Sequence, residues 1–76
     1  MKAFVLIKIR AGDVKEVVRQ LRQTDTVVEA HMTFGPYDAI AIVESADLGS
    51  IGSLVASSIQ PITGVEQTLT CLAVDL

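Results

Sequence analysis

The sequence predicts a single α+β domain in which strands and helices follow each other in the order β-α-β-β-α-β. Two kinds of apolar spacing support this prediction. In some segments every second residue is apolar, as in a strand, and in the segments between them the apolar residues recur at helical spacing. Short polar breaks containing glycine, proline or aspartate separate these segments. A chain of 76 residues has room for one domain, and it contains no internal repeat, linker or low-complexity segment.

The first strand is predicted over residues 2–10, KAFVLIKIR, which are apolar on both faces of the strand at their centre. Asp13 then predicts a helix N-cap, with Glu16 three positions further on as in a capping box. A helix is predicted over residues 14–23, because one of its faces carries an apolar stripe formed by Val14, Val17, Val18 and Leu21. The opposite face carries the cations Lys15, Arg19 and Arg22.

The second and third strands are predicted as a hairpin. Residues 27–34 alternate, which predicts a strand with one face packed on a core, and the apolar face consists of Val28, Ala30, Met32 and Phe34. The corner Gly35-Pro36 follows, and residues 38–44, DAIAIVE, are apolar on both faces from Ala39 to Val43. The connection between the two strands is short enough for a hairpin.

The second helix is predicted to begin after Asp47, its N-cap, and to continue to about Ile59. It ends before Pro61, since a residue that precedes proline disfavours the helical conformation. Its apolar stripe consists of Leu48, Ile51, Leu54, Val55 and Ile59. Thr63-Gly64 predicts a turn, and residues 65–76 predict a last strand rich in β-branched side chains.

This order of elements predicts a ferredoxin-like fold, in which two right-handed crossovers build a four-stranded antiparallel sheet with both helices on one face. The other face of a monomeric sheet would be polar, but the first, third and last strands carry apolar residues on both faces. Exposed apolar area of this extent marks an interface. We therefore expect two sheets packed face to face in a symmetric homodimer.

Composition excludes several classes of function. One cysteine and one histidine allow neither an intrachain disulfide nor the usual four-ligand zinc site, and we expect no metal or cofactor. A net charge of -3, with all six basic residues in the first 22 positions, argues against direct nucleic-acid binding. Three aromatic residues are too few for a sheet that stacks RNA bases. The longest apolar run, Ala3 to Ile7, is too short to span a membrane, so we expect a cytoplasmic protein.

The corner Gly35-Pro36-Tyr37-Asp38 allows two interpretations. In one, it is only a turn, in which Gly35 supplies a positive φ and Asp38 caps the turn with its side chain. In the other, the Asp38 carboxylate binds the ammonium of a free amino acid. Exposed amides of the corner, or Thr68 and Thr70 on one face of the last strand, would then bind the carboxylate of the ligand.

The whole chain resembles the effector-binding domain of the Lrp/AsnC, or feast/famine, transcription regulators, which is also called the RAM domain. Three features carry the resemblance: the order of elements at this length, the segment TFGPYDAIAIVE at residues 33–44, and the segment GVEQTLTCLAVDL at residues 64–76. The second is similar to the Gly-x-Tyr-Asp corner of the family, and the third to its Gly-Val followed by alternating threonines.

The resemblance implies a homodimer of packed sheets that assembles into a ring of four dimers, an octamer. It implies that a small effector, usually an amino acid, binds between dimers and regulates transcription of amino-acid metabolism. The positions that match the binding motifs are Gly35, Tyr37 and Asp38, with Thr68 and Thr70 on the last strand. The helix-turn-helix of the family's regulators has no counterpart in this sequence, so we expect a stand-alone domain that does not bind DNA itself. It could co-assemble with a full-length Lrp/AsnC regulator.

Two other classes of function have the same predicted layout. A small dimeric oxygenase or isomerase without a cofactor would use His31 as a general base beside Glu29, but we expect His31 to be a surface residue and no catalytic residue to be present. We also expect Cys71 to be a buried thiol rather than a nucleophile. An amino-acid sensor of the ACT type would bind its ligand after the first strand, near Gly12.

Overall fold

The computed structural model of the protein describes residues 1–74 and places every predicted element in the predicted order. The elements are β1 (Lys2–Ile9), α1 (Val14–Arg22), β2 (Val27–Met32), β3 (Ala39–Glu44), α2 (Leu48–Leu54), a π-helical segment (Val55–Ile59) and β4 (Val65–Leu72). The predicted last strand was longer than β4, and its final two positions lie outside the described residues. Within residues 1–74, no helix is long and apolar enough to cross a membrane.

The four strands form one sheet in the order β2-β3-β1-β4, and every pair of neighbours is antiparallel. β1 lies in the interior, where Val5 pairs with Ala41 of β3 on one side and with Thr70 of β4 on the other. Both helices cover the same face of the sheet, since the apolar residues of both belong to one core. The predicted ferredoxin-like fold is confirmed.

The core lies between the helices and the face of the sheet that they cover. Every second residue of β1 and β3 is buried in it, and the helices contribute their predicted stripes. The fully buried side chains of greatest volume are Ile7, Leu21, Ile51, Ile59, Val5, Val17 and Val43. Among the described residues, no polar or charged side chain is buried with them. Burial of apolar side chains therefore holds the helices to the sheet.

The strand β2 departs from the predicted alternation. Val27 and Ala30 are the residues that it buries, although they are three positions apart, and the pairing with β3 shifts in register between Val27 and Glu29. This β-bulge adds one residue to β2, so Val27 faces the core and Val28 does not. The prediction that Val28 lies on the core face is therefore wrong. Met32 keeps the face of Ala30, since it pairs with the buried Ala39 as Ala30 pairs with Ala41, but it is about half exposed at the end of the strand, and Phe34 beyond it is fully exposed.

The two helices begin in different ways. Asp47 caps α2 as predicted, since its Oδ1 accepts a hydrogen bond of 2.8 Å from Ser50 N, and hydrogen bonds from Ser50 hold the pKa of Asp47 below its ordinary value. Asp13 makes no capping hydrogen bond, so the predicted capping box is wrong. Its carboxylate instead forms an ion pair with Arg10, with Nη2 and Oδ2 2.6 Å apart.

The second helix widens before it ends. The predicted helix to Ile59 is a helix of seven residues followed by π-helical turns, in which Gln60 N donates a hydrogen bond of 2.9 Å to Val55 O. Four members of the predicted stripe are buried, but Leu48 is exposed. Leu48 lies in the first turn of α2, at a groove whose other wall is the outer strand β4, and neither element covers it.

The uncovered face of the sheet carries an apolar patch across its centre, which we call the open face. Phe4, Leu6, Ile40 and Ile42 are half-buried on it, and Leu69 of the edge strand is 47% exposed. Cys71 pairs with Phe4 on this face and is exposed, so the prediction of a buried thiol is wrong. The burial pattern of β4 explains the error, because an edge strand with no neighbour beyond it shields neither of its faces.

Alanine substitutions at two glycine positions test the backbone conformation of the turn at Gly64. Gly64 has φ +102, and a Cβ atom built there would lie 2.8 Å from the Cβ of Asp13, whereas a Cβ on Gly52 of α2 meets no atom within 4 Å. We expect Gly64→Ala to lower the free energy of unfolding by about 1–2 kcal/mol or more. We expect Gly52→Ala to raise it by about 1 kcal/mol, since alanine favours the helix.

Urea denaturation of both variants beside the wild type measures the two changes. Because the two substitutions add the same methyl group, each is the control for the other. Equal shifts of the denaturation midpoint in one direction would contradict the backbone conformation described for the turn at Gly64.

Candidate functional site

The corner between β2 and β3, residues 33–38, is closed by hydrogen bonds between its two ends. Thr33 N donates to Asp38 O at 3.0 Å, and Thr33 Oγ1 donates to Tyr37 O at 2.7 Å. Gly35 lies at the tip with φ +141, a conformation that side chains rarely adopt. Its predicted positive φ is confirmed, and the corner is a closed loop rather than a flexible link.

Asp38 fastens this corner to β1. Its backbone N donates to Ile7 O at 2.9 Å, and its carboxylate Oδ2 accepts a hydrogen bond of 2.7 Å from Ile9 N. The second carboxylate oxygen, Oδ1, makes no hydrogen bond within residues 1–74. The half-buried carboxylate thus satisfies one backbone amide and keeps acceptor capacity for another group. Lys8 adds a further tie, since its Nζ donates to Pro36 O at 3.1 Å.

A cavity of about 530 Å³ opens beside the corner, and we call it the corner cavity. It lies between the first turn of α1, the end of β2 and the corner itself. Its lining consists of Val14, Lys15, Met32, Thr33, Phe34 and Asp38. The Phe34 ring is fully exposed. The cavity therefore combines an apolar wall with one cation and one anion.

A shallower groove of about 360 Å³ continues from the corner cavity between α1 and β2, and it shares Lys15 and Met32 with that cavity. Arg19 and Arg22 also line it, but both are engaged elsewhere. Arg19 Nε donates to Glu16 Oε1 at 2.8 Å, and hydrogen bonds from Arg19 and Gln20 lower the pKa of Glu16 to about 2. Arg22 Nε donates to Ala30 O at 2.9 Å.

The predicted site residues fall into two separate groups. Gly35, Tyr37 and Asp38 lie together at the corner, whereas Thr68 and Thr70 lie on the helix-facing side of β4, with β1 between. The hydroxyl of Thr68 accepts a hydrogen bond of 3.0 Å from Gln60 Nε2.

Thr70 instead lines the cavity between α2 and β4, which has a volume of about 380 Å³. One subunit therefore does not bring the threonines to the corner, and a site that uses both groups requires a second subunit.

Lys15 is the lining residue that sequence reasoning missed. Its position in the α1 pattern groups it with Arg19 and Arg22 as a solvent-facing cation, and it is indeed exposed. The structure places it at the corner because α1 begins a few residues after β1, and Asp38 is bonded to the end of that strand. The first turn of α1 and the corner therefore lie at the same end of the domain.

The residues considered for catalysis, His31 and Glu29, lie next to each other on the surface of the domain. His31 Nε2 lies 3.1 Å from Glu29 Oε1, and both side chains are more than half exposed on the edge strand β2. The expectation that His31 is a surface residue is confirmed. Within the described part of the chain, no group of three histidine, cysteine, aspartate or glutamate side chains could hold a metal ion.

Comparison with known proteins gives one family. The family model of the Lrp/AsnC ligand binding domain matches residues 2–75. The chain is 33% identical over 63 residues to the HTH-type transcriptional regulator Ptr1 of Methanocaldococcus jannaschii, a match that covers 83% of this chain and 43% of the relative. It is 35% identical over 75 residues to the regulator FL11 of Pyrococcus horikoshii, covering 95% and 47%.

The chain thus spans less than half the length of these curated relatives. Among solved structures, it is similar to TTHA0845 from Thermus thermophilus, with a TM-score of 0.92 and 33% identity. That match covers 99% of this chain and 94% of the solved chain. Similarity therefore extends over the whole of one solved chain and over part of each regulator.

Two substitutions of Asp38 distinguish the effect of its hydrogen bond to β1 on stability from the effect of its charge. Asp38→Ala removes the acceptor of the Ile9 amide, and we expect it to lower the free energy of unfolding by about 1–3 kcal/mol, since a part-buried donor loses its partner. Asp38→Asn keeps an acceptor oxygen and removes the charge, so we expect a smaller loss. Urea denaturation measures both, and equal stability of Asp38→Ala and the wild type would contradict the role of this hydrogen bond.

Proposed function

Because the chain belongs to the Lrp/AsnC ligand binding domain family, we propose that it is an amino-acid-binding and oligomerisation module. In this proposal it modulates transcription of amino-acid metabolism without contacting DNA itself. One observation carries the proposal: Asp38 lines the corner cavity next to apolar side chains, and its Oδ1 makes no hydrogen bond within the described residues. The role is regulatory rather than catalytic, in agreement with relatives that are named transcriptional regulators.

The effector binds at the corner. Asp38 Oδ1 accepts a hydrogen bond from the ligand's ammonium, and a charge-assisted bond of this kind is about twice as strong as a neutral one. Gly35 and Tyr37 shape the loop that holds Asp38 in place, since Tyr37 O accepts the Thr33 hydroxyl. Thr68 and Thr70 take part only if another subunit brings its β4 to this corner.

The open face is the dimer interface. Phe4, Leu6, Ile40 and Ile42 lie side by side on adjacent strands, and Leu69 extends the patch onto β4. Polar side chains border it, with Glu29 and His31 on β2 and Gln67 on β4. An apolar centre with a polar rim is the pattern of a protein–protein interface. A second copy related by a two-fold axis would cover this patch with its own equivalent.

Dimers assemble further through the corner, into a ring of four dimers. The exposed Phe34 ring stands at the mouth of the corner cavity, and contact with another dimer would remove it from water. An effector bound in this cavity then lies between dimers. It favours the assembled state, because it binds that state more tightly than the separate dimers. A full-length Lrp/AsnC regulator could replace one of the dimers in the ring.

The charges of the domain favour a role without DNA contact. The net charge is -3, and four of its six cations bond to groups of the chain itself: Lys8, Arg10, Arg19 and Arg22. Binding to a phosphate backbone requires a cluster of free cations on one surface.

Substitution on the open face tests the dimer. We expect Leu6→Asp to convert the protein to monomers at micromolar concentration, because it places a charge at the centre of the patch. Leu48→Asp is the matched control, since Leu48 is exposed on the opposite side of the domain and its change leaves the dimer intact. Sedimentation velocity measures the masses. A Leu6→Asp variant with the mass of the wild type would show that another surface holds the subunits together.

A thermal-unfolding screen against the twenty amino acids tests effector binding. A ligand present at about 100 times its dissociation constant stabilises the folded state by roughly 2.7 kcal/mol per site. In a domain of this size we expect a rise in Tm of about 10 °C or more with one or a few amino acids. Asp38→Asn is the control and loses this rise. If no amino acid shifts the Tm of the wild type, the effector proposal fails.

A further inference from the structure

We propose that the corner cavity selects α-amino acids with an apolar side chain, and that Lys15 binds the carboxylate of the ligand. The inference rests on the proposed function and adds to it a ligand class and a residue that the corner motif does not contain. Lys15 comes from the first turn of α1, on the side of the cavity formed by the helix.

Lys15 is the cation that lines the corner cavity. Within residues 1–74 its ammonium makes no hydrogen bond or ion pair, whereas Arg10 binds Asp13, Arg19 binds Glu16 and Lys8 donates to Pro36 O. Lys15 and Asp38 line the same cavity and do not form an ion pair with each other. The cavity therefore offers one unpaired positive group and one carboxylate oxygen with acceptor capacity.

A zwitterion fits this arrangement of charges. At neutral pH an α-amino acid carries an ammonium and a carboxylate on the same carbon, and both seek charged partners. The ammonium binds Asp38 and the carboxylate binds Lys15, so that the ligand bridges two groups that the empty cavity leaves apart. Both contacts are charge-assisted, and each favours a molecule with both groups over one that lacks either.

The rest of the lining selects the side chain of the ligand. Val14, Met32 and Phe34 present apolar surface, and Met32 and Phe34 are exposed to water when the cavity is empty. An apolar side chain covers them and gains free energy from the buried area. An acidic side chain would need a second free cation, but Arg19 and Arg22 in the adjoining groove are already bonded.

Isothermal titration calorimetry of the assembled wild-type protein tests both the ligand class and the role of the carboxylate. The probes are L-leucine, L-methionine and L-phenylalanine, together with L-glutamate, L-lysine and the amide of the apolar probe that binds most tightly. We expect the apolar acids to bind more tightly than glutamate and lysine. We expect the amide, which lacks the carboxylate charge, to bind at least about tenfold more weakly than its parent acid.

Variants at Lys15 test whether its side chain causes the preference for the amino acid over its amide. Lys15→Met should lose about tenfold in affinity for the amino acid and nothing for its amide, because only the acid uses the cation. Lys15→Arg keeps the charge and should retain the preference for the acid. Lys15 is exposed and unbonded, so both variants are expected to fold.

A substitution of Met32 tests whether the apolar wall of the corner cavity selects the side chain of the ligand. Met32→Ser should weaken binding of the large apolar amino acid more than binding of L-alanine, whose methyl group is too short to cover the wall. Val28→Ser is the matched control, since Val28 lies on the same strand, is equally exposed and does not line the corner cavity. Equal losses in the two variants would overturn the assignment of the wall.

The remaining outcomes distinguish this inference from the proposed function. If the wild type binds an amino acid and its amide equally, or if Lys15→Met binds as the wild type does, the role of Lys15 is wrong although effector binding stands. Preferential binding of glutamate or lysine would overturn the ligand class alone. Absence of binding by any amino acid overturns both the inference and the proposed function.

Discussion

Two helices cover only one face of a four-stranded sheet, and most features of this domain depend on that constraint. The covered face holds a core without a buried polar side chain among the described residues, while the open face keeps an apolar patch at its centre. Because the inner strands β1 and β3 carry apolar residues on both faces, they contribute to the core and also to the patch on the open face. A domain of 76 residues buries little surface by itself, so the proposed dimer would also add to its stability by covering the open face.

In the proposed site, one side chain of the corner combines a structural contact with a binding role. Asp38 Oδ2 satisfies the Ile9 amide and fixes the corner against β1, and this leaves Oδ1 for a ligand. The prediction that the Asp38 side chain caps the turn is wrong, because this carboxylate bonds to β1 and Thr33 closes the corner. A closed turn and a binding site at this corner do not exclude each other. The same bond sets the position of the cavity, because it holds Asp38 beside the first turn of α1.

The sequence predicted the order of elements, the sheet and the helical stripes, because these depend on periodicity within single segments. The errors concern relations between segments. The bulge in β2 depends on pairing with β3, and the exposure of Cys71 and Leu48 depends on what lies beyond an edge strand. Asp13 had the sequence of a cap but binds Arg10 instead. Lys15 could be placed at the corner only once the packing of α1 was known, and Thr68 and Thr70 lie away from it within one subunit.

In the proposed function, an amino acid binds to an assembly of these domains rather than to a single one. Native mass spectrometry, with an equimolar mixture of the twenty amino acids, measures the number of subunits and the mass of the bound ligand together. We expect even multiples of the subunit mass, up to eight subunits, that retain an amino acid, and a shift toward the larger species when the mixture is present. A monomer without ligand, or an assembly whose size and mass are unchanged by the mixture, would contradict it.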